Sequence, residues 1–471
     1  MNVSHDLKVD LLVIGAGPGG YSAAFKAADK GMKTALVDEN SHLGGVCLNR
    51  GCIPSKALLH IAKVISESRE ASNHGIEFGS PSIDLQKLRN WKDDVVNKMG
   101  SGLVQLARQR KVEALNGKAV FLDSNSVNVE NTGVVSFEKC IISTGSSPVV
   151  PALFNEAKTL LWDSTSALEL TEIPERLLVV GGGYIGLELG TVYSALGSQV
   201  TVVEKEDALL AGVDKDLTRL LLRRLEKNFT SIKLSSSVEN VEKVDNTVKA
   251  TIKTEDREEQ NIYDKILISV GRAPNSGNMG LENTRVKLDK NGYIIINESL
   301  QTDEDHIFAI GDVAGGPLLA HKASHEAQTA VDTILNRNKP SKTSPIPAVI
   351  FTDPEIAFCG LTEEQAKTSR IDHRIARFPW SASGKAQALG CTEGFSKLII
   401  ESRSGKILGM GIVGSGAGEL IGEGSLAIRM KAEVEDLANT IHPHPTLSET
   451  LSEAAQTDLG DAVHIYKRSR R

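Results

Sequence analysis

The chain has 471 residues, 40% hydrophobic and 24% charged, with a formal net charge of −7. At about 150 residues per domain that length predicts about three domains, and the negative balance argues against nucleic acid as the main partner. No apolar run reaches the ~20 residues of a membrane-spanning helix, and five cysteines are too few, and odd in number, for a disulfide scaffold.

The N-terminus, MNVSHDLKVD, has neither a basic start nor an apolar core ahead of it, which predicts no leader and a bacterial cytoplasmic protein. Residues 9–39, VDLLVIGAGPGGYSAAFKAADKGMKTALVDE, then read as apolar strand, G-x-G-x-x-G, small-residue helix, glycine turn, second strand and acid. The glycines are Gly15, Gly17 and Gly20, and the acid is Asp38. In this pattern the first glycine makes the strand-to-helix turn and the second lets the backbone approach a pyrophosphate. The third lets helix and strand pack closely, and the acid accepts hydrogen bonds from a ribose. The helix N-terminus offers the phosphates free N–H groups and the positive end of its dipole.

Residues 44–56, GGVCLNRGCIPSK, come directly after and hold Cys47 and Cys52. Five residues of ideal helix would separate the pair by ~7.5 Å along the axis, beyond the ~6.8 Å Cα limit of a disulfide. A bond between them therefore requires a distorted segment, and Asn49, Arg50 and Gly51 give it that freedom. Lys56 follows Cys52 at helical i,i+4 spacing, so the two face one way, and a cation there would favour a thiolate and an electron-rich ring. A zinc site would need two further Cys or His ligands at suitable spacing, and none is so placed. Cys140, Cys359 and Cys391 lie alone in apolar or strand-like stretches and are expected as buried small hydrophobes.

Residues 176–206, RLLVVGGGYIGLELGTVYSALGSQVTVVEKE, repeat the first pattern with Gly181, Gly183, Gly186 and the acid Glu204. Each acid lies 23 residues after the first glycine of its unit (38 − 15 and 204 − 181). Two units imply two dinucleotides. With Glu204 where a 2′-phosphate binder would want arginine, the second should prefer NAD over NADP.

Toward the C-terminus, LIIESRSGKILGMGIVG reads as a hairpin and ELIGEGSLAIRM and VEDLANTI as helices. In TIHPHPTLSETLSEAA, residues 440–455, Pro445 predicts a helix start that places Glu449 about a turn inside, within reach of His444. A His–carboxylate couple fixes one imidazole tautomer and supplies the base that thiol exchange needs. His442 is expected as a packing or supporting residue. The basic tail, residues 467–471, is expected as a solvated terminus.

These blocks, together with LGGVCLNRGCIPSKALLH, STGSSP, SVGRAPN, IFAIGDVAGGPLLAHKA and HPHPTLSE, closely resemble the dihydrolipoyl dehydrogenase family over essentially the whole chain. That family is the flavin-containing E3 component of 2-oxoacid dehydrogenase complexes, within the pyridine nucleotide-disulfide oxidoreductases. The resemblance implies an α/β fold with two Rossmann-like nucleotide-binding domains and a C-terminal α+β dimerisation domain. It implies FAD, held non-covalently by the first unit, with contacts from Gly45, Lys56, Gly117, Ala119, Thr144, Gly145, Asp312, Ala320 and the neighbouring His321. It further implies that Lys56 pairs with Glu188, and that NAD meets Glu204, Val238, Gly271 and Arg272. Tyr184 stands where many lipoamide enzymes have an aliphatic residue, and reads either as a packing aromatic at the helix start or as a cover over the flavin that NAD displaces. Cys47 would be the interchange thiol and Cys52 the thiol facing the flavin. His444 and Glu449 would complete the site of the other subunit of a homodimer, with dihydrolipoamide delivered on a lipoyl-bearing partner. No metal, nucleic acid or membrane is implied.

The expected segments are 1–150 (flavin region), 151–275 (NAD domain), 276–345 (flavin region, continued) and 346–471 (dimer domain). Glutathione reductases prefer NADP, against Glu204. Mercuric reductases and high-molecular-weight thioredoxin reductases need a C-terminal cysteine pair, whereas the last cysteine here is Cys391.

Overall fold

The strand Leu7–Ile14 lies at the centre of a seven-stranded sheet, pairing in parallel with Thr34–Asp38 on one side and Gly133–Ile142 on the other. Its Leu11, Leu12 and Val13 have no exposed surface, because both faces of the sheet are covered. This is the computed structural model of the chain, describing residues 7–255, 257–337 and 344–466; the basic tail lies outside them. One covering layer is the helix pair Pro18–Asp29 and Ala320–Ile334, which meet through Ala23, Ala24, Ala27, Ala327 and Ala330. Small side chains let the two backbones approach. The strand Gly133–Ile142 takes Ser126–Val129 antiparallel along its first residues and Ile307–Ala309 in parallel along its last three. A segment some 170 residues downstream (307 − 137) therefore closes the first sheet.

The second unit forms a five-stranded parallel sheet, ordered Ser231–Lys233, Gln199–Val203, Arg176–Val180, Lys265–Ile268, Leu161–Trp162. A three-stranded antiparallel sheet, Ser237–Val244, Thr247–Lys253 and Glu258–Tyr263, flanks it. A short antiparallel pair, Ser146–Pro148 with Arg272–Pro274, ties the two units together. The helix Cys52–Glu70 of the first unit also packs on Tyr184–Leu196 of the second.

The C-terminal sheet is antiparallel throughout, ordered Ala348–Ile350, Glu355–Gly360, Ile407–Gly414, Phe395–Glu401, His373–Pro379. The expected hairpin is the pair Phe395–Glu401 and Ile407–Gly414. The expected helices are Ala417–Met430 and Val434–Ala438. The third helix differs: it runs Glu449–Leu459, so Glu449 is its first residue rather than a turn inside. Residues 445–448 are taken up by a turn in which Thr446 Oγ1 donates to the carbonyl of Pro443 (2.8 Å), after a cis His444–Pro445 peptide.

Candidate active site

The two glycine turns are built alike, bond for bond. Gly15 N–H donates to Val37 O (2.7 Å) and Gly181 N–H to Val203 O (2.9 Å). Both glycines have positive φ, +100° and +104°, and a Cβ at either would strike a backbone oxygen, of Ser143 at 2.2 Å or of Ser269 at 2.5 Å. At Gly20 and Gly186 a Cβ would lie 1.7 and 2.4 Å from the carbonyl oxygens of Gly15 and Gly181. Gly17 and Gly183 differ from all of these. Each is the N-cap of its helix, and a Cβ there meets nothing within 4 Å. The fold needs the outer two glycines of each unit for packing. The middle one is bare toward open space, where a pyrophosphate would approach the helix N-terminus.

The acids are engaged in the same way. Asp38 Oδ2 accepts from the N–H of Ala16 (2.7 Å) and Glu204 Oε2 from that of Gly182 (2.5 Å). Their second oxygens accept from the N–H of Asn40 (2.8 Å) and of Glu206 (2.8 Å). Each carboxylate is thus anchored beside its glycine turn.

Cys47 and Cys52 are joined as a disulfide with Cα atoms 4.7 Å apart. The required distortion is at Gly51. One helix, Gly45–Arg50, ends there at φ −149°, ψ −107°, and the helix Cys52–Glu70 begins. The short helix is pressed onto the first glycine turn: Gly45 has φ +59°, and a Cβ on it would come within 2.5 Å of Gly17 Cα. One turn past Cys52, Lys56 Nζ lies 2.8 Å from Glu188 Oε2 and over the Phe351 ring at 4.3 Å. Glu188 is buried on the helix of the second unit, and its Oε1 accepts from the N–H of Phe351 (3.0 Å). The disulfide segment therefore runs from the glycine turn of one unit to the helix of the other.

Thr144 and Gly145 are held by Asn275. The Thr144 hydroxyl donates to Asn275 O (2.7 Å), and Asn275 Nδ2 donates to Thr144 O (2.9 Å). Asp312 accepts from Ser146 Oγ (2.5 Å), which in turn accepts from Arg272 Nε (2.7 Å). Tyr184, 39% exposed, opens the second glycine helix; burial pushes its hydroxyl up, offset in part by Arg272. Gly117, at φ +154°, passes under Glu130 O, and its N–H donates to Asp38 O (2.9 Å). Ala119 is buried in the first core and Val238 in the second. Gly271 has φ +140° with open space where a Cβ would go. Ala320 opens its helix, and the next residue, His321, places Nε2 2.6 Å from Pro347 O.

The sequence reading missed three residues here. Ser143 and Ser269 both seat the first glycine of their unit, and Ser146 links Arg272 to Asp312. A signal existed for the first two: STG at 143–145 and SVG at 269–271 are a third element of the same repeat.

His444 Nδ1 donates to Glu449 Oε1 (2.8 Å), leaving Nε2 as the base in the neutral ring. Partial burial pushes the Glu449 carboxyl up, but the Thr446 N–H (2.7 Å) and His444 outweigh it, and the net position is below the ordinary value. The imidazole is 76% exposed, and among the described residues no hydrogen bond or ion pair joins this couple to the disulfide segment. His442 pairs separately with Glu423, its Nε2 2.8 Å from Glu423 Oε1. Cys140 and Cys359 are buried as expected, and burial pushes their thiols up, that of Cys359 to about 11. Cys391 is only partly buried, at the rim of the C-terminal core.

The family model of pyridine nucleotide-disulphide oxidoreductases matches residues 9–327, and its dimerisation domain matches residues 346–455. The chain is 46% identical over 468 residues to a dihydrolipoyl dehydrogenase of Buchnera aphidicola subsp. Schizaphis graminum, covering 98% of each. It is 41% identical to that of Bacillus subtilis, again covering 98% of each. Among solved structures, the HOCl-induced flavoprotein disulfide reductase RclA of Escherichia coli superposes with a TM-score of 0.86 at 27% identity. That match covers 95% of this chain and 99% of the other. The chain belongs to the pyridine nucleotide-disulphide oxidoreductase family.

Proposed function

We propose, from that membership, that the chain oxidises protein-bound dihydrolipoamide to lipoamide with NAD+ as the final acceptor. The net reaction is dihydrolipoamide plus NAD+ giving lipoamide, NADH and a proton. The observation that carries the reading is the disulfide segment itself. Gly45 rests on the first glycine turn, and Lys56 pairs with Glu188 of the second unit at 2.8 Å, so the redox pair sits between two nucleotide cradles.

Gly15, Gly17, Gly20 and Asp38 would hold the FAD pyrophosphate and ribose, with Gly117, Ala119, Thr144, Gly145, Asp312 and Ala320 as further contacts. The bare face of Gly17 fits that group. When bound, FAD supplies a two-electron acceptor able to pass hydride to NAD+. Gly181, Gly183, Tyr184, Gly186, Glu204, Val238 and Gly271 would hold NAD+.

The chain's own residues do the rest. Nε2 of His444 takes a proton from a substrate thiol, and Glu449 steadies the imidazolium. The substrate thiolate attacks Cys47 Sγ, breaking the Cys47–Cys52 bond and forming a mixed disulfide. The second substrate thiol closes the lipoamide ring and releases Cys47 as a thiol. Cys52 is left as a thiolate, with Lys56 one turn away to favour its charge.

Because the His444–Glu449 couple is exposed, we place it against the disulfide of a second copy. Exposed Leu426 and Met430 on the helix Ala417–Met430, and Ile441 beside it, would be covered in the same homodimer. A lipoyl-bearing partner then delivers the substrate. The four segments 1–150, 151–275, 276–345 and 346–471 remain our domain reading, supported by the return of Ile307–Ala309 to the first sheet. Among the described residues no helix is long and apolar enough to cross a membrane. The bacterial relatives and three unbonded cysteines favour a reducing bacterial cytoplasm.

The test is steady-state oxidation of dihydrolipoamide with NAD+ and NADP+ compared. Fast turnover with NAD+, lost in Cys47→Ser, supports the reading. A yellow, NADH-reducible protein without lipoamide activity would move the substrate to another disulfide.

A further inference from the structure

Lys397 has no exposed surface, yet it lies on the C-terminal sheet, far in sequence from both nucleotide units. Its Nζ is 2.6 Å from Asp214 Oδ2 and 2.7 Å from Asp216 Oδ1, at the start of the helix Lys215–Asn228 of the second unit. Its cross-strand neighbour Arg377 donates to Asp216 (2.9 Å) and to Glu363 (3.0 Å), and Lys367 pairs with Glu363 (2.9 Å). Three cations thus meet three carboxylates across a domain boundary. A buried ammonium is tolerated only with such compensation.

Asp214 shows where the network acts. It is the N-cap of its helix, a position where an aspartate ordinarily accepts from its own first turn. Here it makes no such cap bond. Its carboxylate accepts instead from the N–H of Glu363 (3.0 and 3.2 Å), the first residue of a C-terminal-domain helix. Packing agrees with the charges: on the neighbouring strand a Cβ at Gly411 would lie 2.9 Å from Leu217 Cδ1, so that glycine admits the helix start.

The loop held this way is the one that leaves Glu204. Between 204 and 214 it folds back on the second glycine turn. Leu210 N–H donates to Gly182 O (3.1 Å), buried Leu209 lies where a Gly182 Cβ would be (2.6 Å), and Val213 N–H donates to Leu210 O (3.0 Å). A continuous run of contacts therefore joins Lys397, Asp214, Val213, Leu210, Gly182 and Glu204.

We propose that Lys397, with Arg377, is a positioning residue for the nicotinamide dinucleotide: the C-terminal domain holds the ribose-acid loop of the second unit in its binding shape. The inference rests on the reading that this unit takes NAD. Replacing Lys397 by methionine removes its ion pair with Asp214 and leaves Asp216 to Arg377, which weakens the hold of the sheet on this helix start and loosens the loop.

The experiment is NADH binding by fluorescence titration on purified wild type, Lys397→Met and Arg377→Met. Steady-state constants, melting temperature and the anaerobic reaction with dihydrolipoamide, without NAD+, are measured alongside. The expected result is a rise in the NADH dissociation constant and in KM for NAD+ on the order of 3- to 30-fold, larger for Lys397→Met. The dithiol half-reaction should stay within about twofold of wild type, the mark of binding loss without chemical loss. A lowered melting temperature with unchanged NADH affinity would make the network a structural brace only and overturn the inference. Should Lys397→Met fail to fold, the half-exposed Arg377 decides it on the same criteria. Wild type that binds no NADH would remove the NAD reading, and this inference with it; wild type that binds while both variants match it removes the inference alone.

Discussion

The two nucleotide units share the turn bond, Gly15 N–H to Val37 O and Gly181 N–H to Val203 O, and an acid anchored by two N–H groups, yet the chain takes a different course beyond each acid. After Asp38 the first chain segment sets Gly45 against its own glycine turn, runs on as Gly45–Arg50 and breaks at Gly51, where the disulfide closes. After Glu204 the second doubles back on Gly182 and is pinned by the C-terminal domain. Sheet and turn specify a dinucleotide site; the crossover decides whether that site also carries redox chemistry.

The largest expected effect breaks the units apart at that crossover. Cys52→Ser should lower dihydrolipoamide oxidation on the order of 10³-fold or more, because no thiolate then remains beside Lys56. Flavin content and NADH affinity should stay near wild type, since both turns are intact. Loss of flavin in that variant would mean that the disulfide also builds the first cradle.

Next comes the middle glycine of each turn. Gly17→Ala and Gly183→Ala place a methyl in open space at ordinary extended φ, so both proteins should fold with melting temperatures close to wild type. Gly17→Ala should be purified with little flavin, and Gly183→Ala should be yellow but bind NADH at least about tenfold more weakly. A Gly20→Ala control should instead fail to fold well, since its Cβ would sit 1.7 Å from Gly15 O.

The repeat, the packing roles of its outer glycines, the bend required between Cys47 and Cys52, and the His444–Glu449 couple were all legible in the sequence. Each rests on local spacing or on a pattern that occurs twice. The offset of Glu449 to a helix start was not, because the hydrogen bonds of Thr446 consume the turn expected to begin the helix at Pro445. Ser146 and Lys397 were also missed. Ser146 acts on Arg272 and Asp312 across at least 126 positions, and Lys397 on Asp214 across 183. Neither separation leaves a local signature, and a lysine inside FSKLIIE reads as the outward residue of a strand. Sequence period tells which face a residue takes; it does not tell what another domain brings to that face.

A smaller effect sharpens the comparison at the ribose acid. Glu204→Ala frees the N–H groups of Gly182 and Glu206 and removes the proposed ribose acceptor, while Asp38→Ala frees those of Ala16 and Asn40 and removes its counterpart in the first unit. Losing a charged acceptor costs about 1.5–3 kcal/mol, so KM for NAD+ should rise roughly 10- to 150-fold in Glu204→Ala. Asp38→Ala should leave that KM unchanged and slow the recovery of holoenzyme after flavin removal.

The smallest effect lies in a feature only the first unit has, its completion by a distant segment. Glu304, buried near the strand Ile307–Ala309, accepts from the Arg285 guanidinium (2.9 Å), from the Arg285 N–H (3.1 Å) and from Ser124 Oγ (3.0 Å). It so ties segment 276–345 to the hairpin Ala119–Asp123 and Ser126–Val129. The Arg285 hydrogen bond is the main reason its carboxyl is held down, to about 2 against an ordinary 4.5. A folded value below the unfolded one adds stability that is fully present above pH ~4.5 and is lost as pH falls toward about 2. Glu304→Gln removes that increment. Its melting temperature should lie a few degrees below wild type at pH 7, roughly 2–4 °C, and the gap should narrow steadily below pH ~4.5. A gap that stays constant down to pH 3 would mean that the carboxylate charge contributes nothing, and that the segment is held by the packing of Ile307 and Ala309 alone.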